Sequence, residues 1–244
     1  FNYRATQYIV DNGIDAYFQW NDELSWYPHG RNVSETSQVM LHLTAATTYG
    51  IFGTGGNLYD FTILFPVIIG SLTAIVVFAL VRVIGGTTAG LFAALLFSIS
   101  IPIVIRGHLG WFKSEPLGLF FSILAIYLFL SGINSKNKKI VIPKLISAGI
   151  FIVFGLSAWG GDQYFIIPLG IFLLTLPFLR TDHRFLIWTI PIFTISTIVT
   201  SLVFERLGTT FVMGLGGLSL IIPTIFLVFC IIIQSKSNKN SKNR

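Results

Sequence analysis

Seven long apolar runs, uncharged through their interiors, constrain this chain more than any other feature. They cover roughly residues 61–83, 88–105, 116–132, 140–159, 163–179, 185–204 and 209–233. A helix needs about 20 apolar residues to cross a bilayer, with a range near 17–25, so each run qualifies as a span. Backbone inside hydrocarbon must satisfy its own hydrogen bonds, so the expected fold is an all-α transmembrane bundle. Arg82 and Lys144 lie close enough to the ends of their runs to reach the headgroups. Composition agrees, with 53% hydrophobic and 11% charged residues among 244, against about 25% charged in soluble domains. No internal repeat is visible, which gives no support to an inverted-repeat transporter.

The polar residues are gathered between and before the runs. Residues 1–60 are polar and aromatic by turns and read as an outer loop, followed by the bundle at 61–233 and a basic polar tail at 234–244. Within the first segment, residues 4–10 predict a short helix stopped by Asn12-Gly13, residues 26–30 a turn, and residues 35–50 a second helix. The Lys/Asn/Ser-rich tail is expected to be disordered. The chain opens at Phe1 in an already patterned segment without Met, so its true N-terminus is expected upstream.

Placing residues 1–60 outside and threading seven spans puts eleven Lys and Arg on the inner side and five on the outer. That asymmetry fits the positive-inside rule. The acids segregate further: nine lie outside, and Asp182 alone lies inside. The net charge of +6 is therefore a matter of membrane sidedness, and nucleic acid is not an expected partner. The only cysteine, Cys230, sits in an apolar run, which excludes a disulfide framework or a cysteine metal site. Ion-coupled transport usually needs ionisable groups near the midplane, and the span interiors have none. Chemistry is expected instead at the outer interface, where acids and aromatics together suit a hard cation and the polar end of a lipid.

Three outer segments can converge there. Residues 106–115, Arg-Gly-His-Leu-Gly-Trp-Phe-Lys-Ser-Glu, carry four ionisable groups in ten: Arg106, His108, Lys113 and Glu115. Trp159-Gly160-Gly161-Asp162 follows the fourth span and Glu205-Arg206 the sixth. Each has a plain structural reading as well. Glycine serves tight turns between antiparallel spans, interfacial Trp is ordinary, and a Glu just before Pro116 suits a helix start. For His108 an interfacial polar residue is the simpler reading. Asp22-Glu23 reads as a solvated pair, and Asn32-Val33-Ser34 is a three-residue sequon of a kind common by chance.

Four motifs taken in register resemble one family. Phe1-Asn2-Tyr3-Arg4-Ala5-Thr6 and Trp26-Tyr27-Pro28-His29-Gly30-Arg31 are similar to its first outer loop. Arg106-x3-Gly110-x4-Glu115 resembles its Arg-x3-Gly-x2-Asp-x-Glu stretch, and Ser157-Ala158-Trp159-Gly160-Gly161 its Ser-x-Trp-Gly-Gly turn. The family is the catalytic subunits of oligosaccharyltransferase (Stt3/AglB/PglB), and the resemblance covers nearly the whole chain. It implies a bundle of the GT-C glycosyltransferase type, in a prokaryotic cell membrane or the endoplasmic reticulum. The implied reaction moves an oligosaccharide from a polyprenyl (dolichyl) phosphate or pyrophosphate to Asn of Asn-x-Ser/Thr in an acceptor polypeptide, with Mn²⁺ or Mg²⁺.

By the same resemblance Glu115 is the catalytic, metal-binding acid, and the family's first catalytic Asp falls just upstream of Phe1. Lys113 stands in the slot of the second motif's Asp, and a protonated lysine cannot ligate a metal. Glu115 then works with upstream acids alone, or His108 assists, or Lys113 contacts phosphate directly. Arg106, Lys113, Trp159 and Asp162 are the candidates for binding donor phosphate or sugar. The family pattern also implies further spans, a long fifth outer loop and a soluble peptide-recognition domain beyond this chain. The rival readings are another GT-C enzyme using a polyprenyl-phosphate sugar, and a polytopic transporter or lipid-binding scaffold.

Overall fold

The computed structural model describes residues 1–242 apart from Thr54, Lys136 and Thr181, with side chains described except at His183 and from 235 onward. The fold is all-α. Among the described residues the β-type pairing is an isolated bridge between Asn21 and Asn32.

Helix α1 (Asn2–Asn12) ends where Gly13 takes φ 89°, a conformation that costs an L side chain and not glycine. Short helices α2 (Ile14–Phe18) and α3 (Val33–Thr36) follow, then α4 (Val39–Phe52). The second predicted helix is thus two, separated at Ser37 and Gln38. Their shared core is Ala5, Ile9, Tyr17, Val33, Val39 and Ala46, with Tyr8 stacked on Trp20 at 4.2 Å.

Helix α5 (Leu58–Ile99) has 42 residues, which if straight would run about 63 Å, twice the hydrocarbon thickness. It reverses instead. Gly86 leaves helical geometry at φ 83°, ψ 179°, and a Cβ built on Gly90 would lie 2.8 Å from the carbonyl oxygen of Phe78. Far from the turn, the Gly110 amide donates to the Ile63 carbonyl at 3.0 Å. The first two runs are therefore one helical hairpin. Of the six helices among the described residues that are long and apolar enough to span, α5 crosses twice, consistent with about seven crossings. Helix α6 (Ile101–Arg106), begun by Ser100 and Pro102, completes the second crossing.

The remaining spans are α7 (Ser114–Ile133), α8 (Lys138–Ala158), α9 (Gln163–Leu179), α10 (His183–Ser201) and α12 (Leu215–Lys242), with short α11 (Gly208–Met213) before the last. The largest core cluster joins Phe129, Leu145, Ile152, Leu173, Ile190 and Phe193, and Phe129 meets Phe193 at 4.8 Å between ring centres. Lipid supplies little hydrophobic drive between spans, so close backbone approach matters more. At Gly149 of α8 an added Cβ would fall 2.7 Å from the Ser196 side chain of α10, and Ser196 Oγ donates across to the Ile146 carbonyl at 2.9 Å. Helix α12 runs on to Lys242, so most of the tail expected to be disordered is helical. No Gly or Pro follows Pro223 to stop a helix already nucleated in the span.

Candidate functional site at one end of the bundle

The loops that precede α7, follow α8 and follow α10 lie at one end of the bundle, under the first segment. Asn2 Nδ2 donates to the Phe112 carbonyl at 3.1 Å, and Arg206 Nη1 to the Ser37 carbonyl at 3.4 Å. Ser34 Oγ donates to Glu205 Oε2 at 2.5 Å. The serine of the sequon is therefore buried and used to strap the first segment to the loop after α10. Burial lowers the pKa of Arg206.

Between these loops opens a cavity of about 620 Å³. Gly70 and Thr73 of α5 form one wall, one helical turn apart on a single face. Phe97, Pro102 and Ile103 come from the return crossing, Pro116 and Leu119 from α7, and Tyr164 and Phe165 from α9. At its rim stand Arg106, Gly107, Glu115, Trp159 and Gly161. The walls are apolar, and the charge is confined to one end.

Arg106 and Glu115 form an ion pair there, Nη1 to Oε1 at 3.0 Å. Glu115 lies in the first turn of α7, where the helix dipole favours an anion. Its second oxygen, Oε2, is buried without a hydrogen-bond partner, a state that costs stability unless a ligand completes it. The Arg106 guanidinium also sits 5.3 Å from the Trp111 ring centre, and Lys113 Nζ 4.9 Å from it. Two cations thus share one aromatic ring, and Lys113 is exposed beside the rim without lining the cavity.

The other residues singled out from sequence are placed differently. His108 is exposed, tilted against Trp111, with Nδ1 2.6 Å from the Ile105 carbonyl. Asp162 is fully buried in the crossing of α7 and α8, where Cβ atoms at Gly118 and Gly155 would each lie 2.7 Å from its Oδ2. Neither residue lines the cavity. Thr73, Tyr164 and Phe165 do line it, and sequence reading passed over them. A threonine one turn from a glycine inside an apolar span was the available signal for Thr73. Among the described residues no group of three His, Cys, Asp or Glu is arranged to hold a metal. Glu115 supplies one carboxylate with one uncommitted oxygen.

The first segment has its own buried polar network. Asp22, read from sequence as solvated, is 2% exposed. Burial raises its pKa, but hydrogen bonds from Ser25 and Arg4, the Arg4 charge and the Leu24 amide outweigh that and hold it below the usual carboxylate range. His42 is wholly buried, with Nδ1 2.7 Å from Tyr17 Oη and Nε2 3.3 Å from Asn2 Oδ1. Burial, with Arg31 nearby, pushes its pKa down to about 3. Burial likewise pushes Tyr17 up to about 12.

Fold and site together define a multi-pass helical membrane protein with an amphipathic pocket at one membrane face. Residues 1–238 match the family model described as oligosaccharyl transferase STT3, N-terminal. The chain belongs to that family. The STT3 subunit of the dolichyl-diphosphooligosaccharide–protein glycosyltransferase of Dictyostelium discoideum is 31% identical over 205 residues, 82% of this chain and 28% of that one. The STT3B subunit of Oryza sativa is 28% identical over 179 residues, 72% of this chain and 24% of that one. The chain thus spans about a quarter of the length of these curated relatives. Two solved structures share the fold. The Archaeoglobus fulgidus oligosaccharyltransferase in complex with Zn and sulfate has TM-score 0.76 at 19% identity, covering 100% of this chain and 32% of that one. The archaeal oligosaccharyltransferase AglB in complex with an inhibitory peptide and a dolichol-phosphate has TM-score 0.76 at 18% identity, covering 97% and 29%.

Proposed function

We propose that this chain forms the donor-lipid part of an enzyme that transfers an oligosaccharide from a polyprenyl (dolichyl) phosphate or pyrophosphate to Asn of Asn-x-Ser/Thr. The observation that carries this reading is the outer cavity, apolar along its walls and charged only at its rim. An isoprenoid suits Phe97, Ile103, Leu119 and Phe165. Arg106 presents several N–H donors and uses Nη1 on Glu115, which leaves others for phosphate oxygens. In this reading residues 1–60 are the catalytic outer loop, 61–233 hold the lipid, and 234–244 are an inner tail.

Glu115 Oε2 is the atom we assign to a divalent cation, Mn²⁺ or Mg²⁺, as one of its ligands. Such an ion neutralises charge gathering on a departing phosphate. Glu115 would hold the cation, Arg106 holds the donor in register, and Trp159 walls the rim on the α9 side. The dolichol-phosphate and inhibitory peptide in the archaeal complex and the names of the curated relatives support the same donor and acceptor classes.

The test is reconstitution of the protein that carries this chain with a polyprenyl-linked oligosaccharide and a labelled Asn-x-Thr peptide. Glycan on that Asn, and none on a Gln-x-Thr peptide, is expected. Transfer to lipid or to Ser/Thr instead, or flux of substrate without transfer, overturns the proposal.

A further inference from the structure

At the other end of α7, about 30 Å from Glu115 by helix length, a second cavity of about 460 Å³ lies among the ends of α7, α8, α9 and α10. Among the described residues its charged lining is Lys138, Arg180, Arg184 and Asp182, three cations against one carboxylate. Among the described residues, ion pairs join Arg4 with Asp22 and Arg106 with Glu115, and none involves these cations. Arg180 spends its donors on neutral acceptors, with Nη1 2.6 Å from the Ile133 carbonyl and Nη2 on Asn134 Oδ1. Among the described residues it has no ion-pair partner. Asp182 is committed to capping α10, its Oδ1 accepting from the Phe185 amide at 3.3 Å.

Lys138 and Arg184 both lie in the first turn of a long helix; α8 has no acid at its start, and α10 has the capping Asp182 alone. Cations are unfavourable there, because the helix dipole and the unpaired amides already make a helix start positive. Asp182 offsets one of the three cations, and the excess positive charge beside two helix starts is relieved by a further anion. Residues that break a local rule in this way mark sites where a ligand restores the balance.

We propose that this cavity binds the phosphate of an anionic phospholipid headgroup. Its apolar side favours a lipid over a free anion: Phe185 and Trp188 pack edge to face at 5.3 Å between ring centres and line the cavity with Ile133. Trp at a span end sits at headgroup level. By the positive-inside asymmetry this is the inner face, where the leaflet carries anionic lipid. The site is independent of the outer pocket, and it gives the enzyme a preference for membranes rich in acidic lipid.

The test uses the purified protein in nanodiscs of mixed phosphatidylglycerol and phosphatidylcholine, then extraction into detergent and mass spectrometry of retained lipid. Phosphatidylglycerol is expected to be retained above its bulk fraction, and millimolar inorganic phosphate should not displace it. Lys138→Gln and Arg184→Gln should each weaken retention about fivefold, as about 1 kcal/mol per surface cation implies. Both residues are exposed, so the variants should fold, and Arg82→Gln on the α5 hairpin serves as the control cation. Retention unchanged in the double variant, or lowered equally by Arg82→Gln, overturns the proposal. Displacement by inorganic phosphate also overturns it, in favour of a free-phosphate site.

Discussion

Replacing Glu115 by Gln separates its two possible roles, because they differ in size. As a structural group Glu115 makes one ion pair, with a partner side chain 54% exposed against its own 23%. Exposed pairs of that kind are worth about 0–1 kcal/mol, and an anion in a helix first turn about 0.3–1 kcal/mol. Gln keeps the shape and one acceptor, so Glu115→Gln should lower stability by about 1 kcal/mol or less. As a metal ligand it should lose far more. Changes around a metal commonly cost about 10–100-fold in affinity or activity, and loss of a ligating oxygen at least about that. The assay is initial rate of transfer to a sequon peptide against Mn²⁺ or Mg²⁺ concentration, run beside thermal unfolding of the same preparation. Lys113→Ala is the comparison. Lys113 is exposed and contributes a cation–π contact worth about 0.5–1 kcal/mol, so it should weaken the charged donor a few-fold and leave the metal titration in place. Wild-type rate and an unchanged metal titration in Glu115→Gln would refute the assignment and leave Glu115 as a helix-starting residue.

Two further outcomes follow from the first segment and the sidedness of the bundle. Tyr17→Phe should destabilise the protein by about 1–3 kcal/mol, since it leaves buried His42 Nδ1 unpartnered; chemical unfolding followed by tryptophan fluorescence reads it. With the folded pKa of His42 at about 3 and the unfolded value near 6.5, only the unfolded chain takes up the proton between those limits. Stability should therefore fall by about 1.4 kcal/mol per pH unit as pH drops through that window, and a His42→Gln variant should flatten the slope. For sidedness, with Cys230 first replaced, an impermeant thiol reagent outside sealed cells should label cysteine at Leu24, which is 79% exposed, and spare cysteine at Lys139. The opposite pattern would invert the topology.

The spans were legible because hydrophobic runs need no tertiary context, whereas the reversal at Gly86 that joins the first two runs in one helical hairpin was read only from the structure. The convergence of 106–115, 159–162 and 205–206 at one end of the bundle was legible from their order along the chain. What escaped was set by tertiary packing. Asp162 looks like a loop acid beside two glycines, yet the closeness of α7 and α8 at Gly118 and Gly155 encloses it. Asp22 looks solvated, yet Arg4 comes from α1 and Ser25 from its own turn to surround its carboxylate. His42, flanked by Met40, Leu41 and Leu43, carried a signal for burial that polarity-based reading passes over. The cavity at the opposite end of the bundle was half visible: the excess of basic residues was plain, but which of them share one cavity depends on how four helix ends meet.

The most direct measurement is photocrosslinking of a polyprenyl phosphate that carries a diazirine on its first isoprene unit, with adducts mapped by mass spectrometry. Adducts should fall on the peptides bearing Arg106, Glu115, Trp159 and Tyr164, and excess unlabelled polyprenyl phosphate should remove them. Adducts confined to the opposite end of the bundle, around Ile133 and Arg184, or adducts at the outer rim that do not saturate, would contradict the assignment of the outer cavity to the donor lipid.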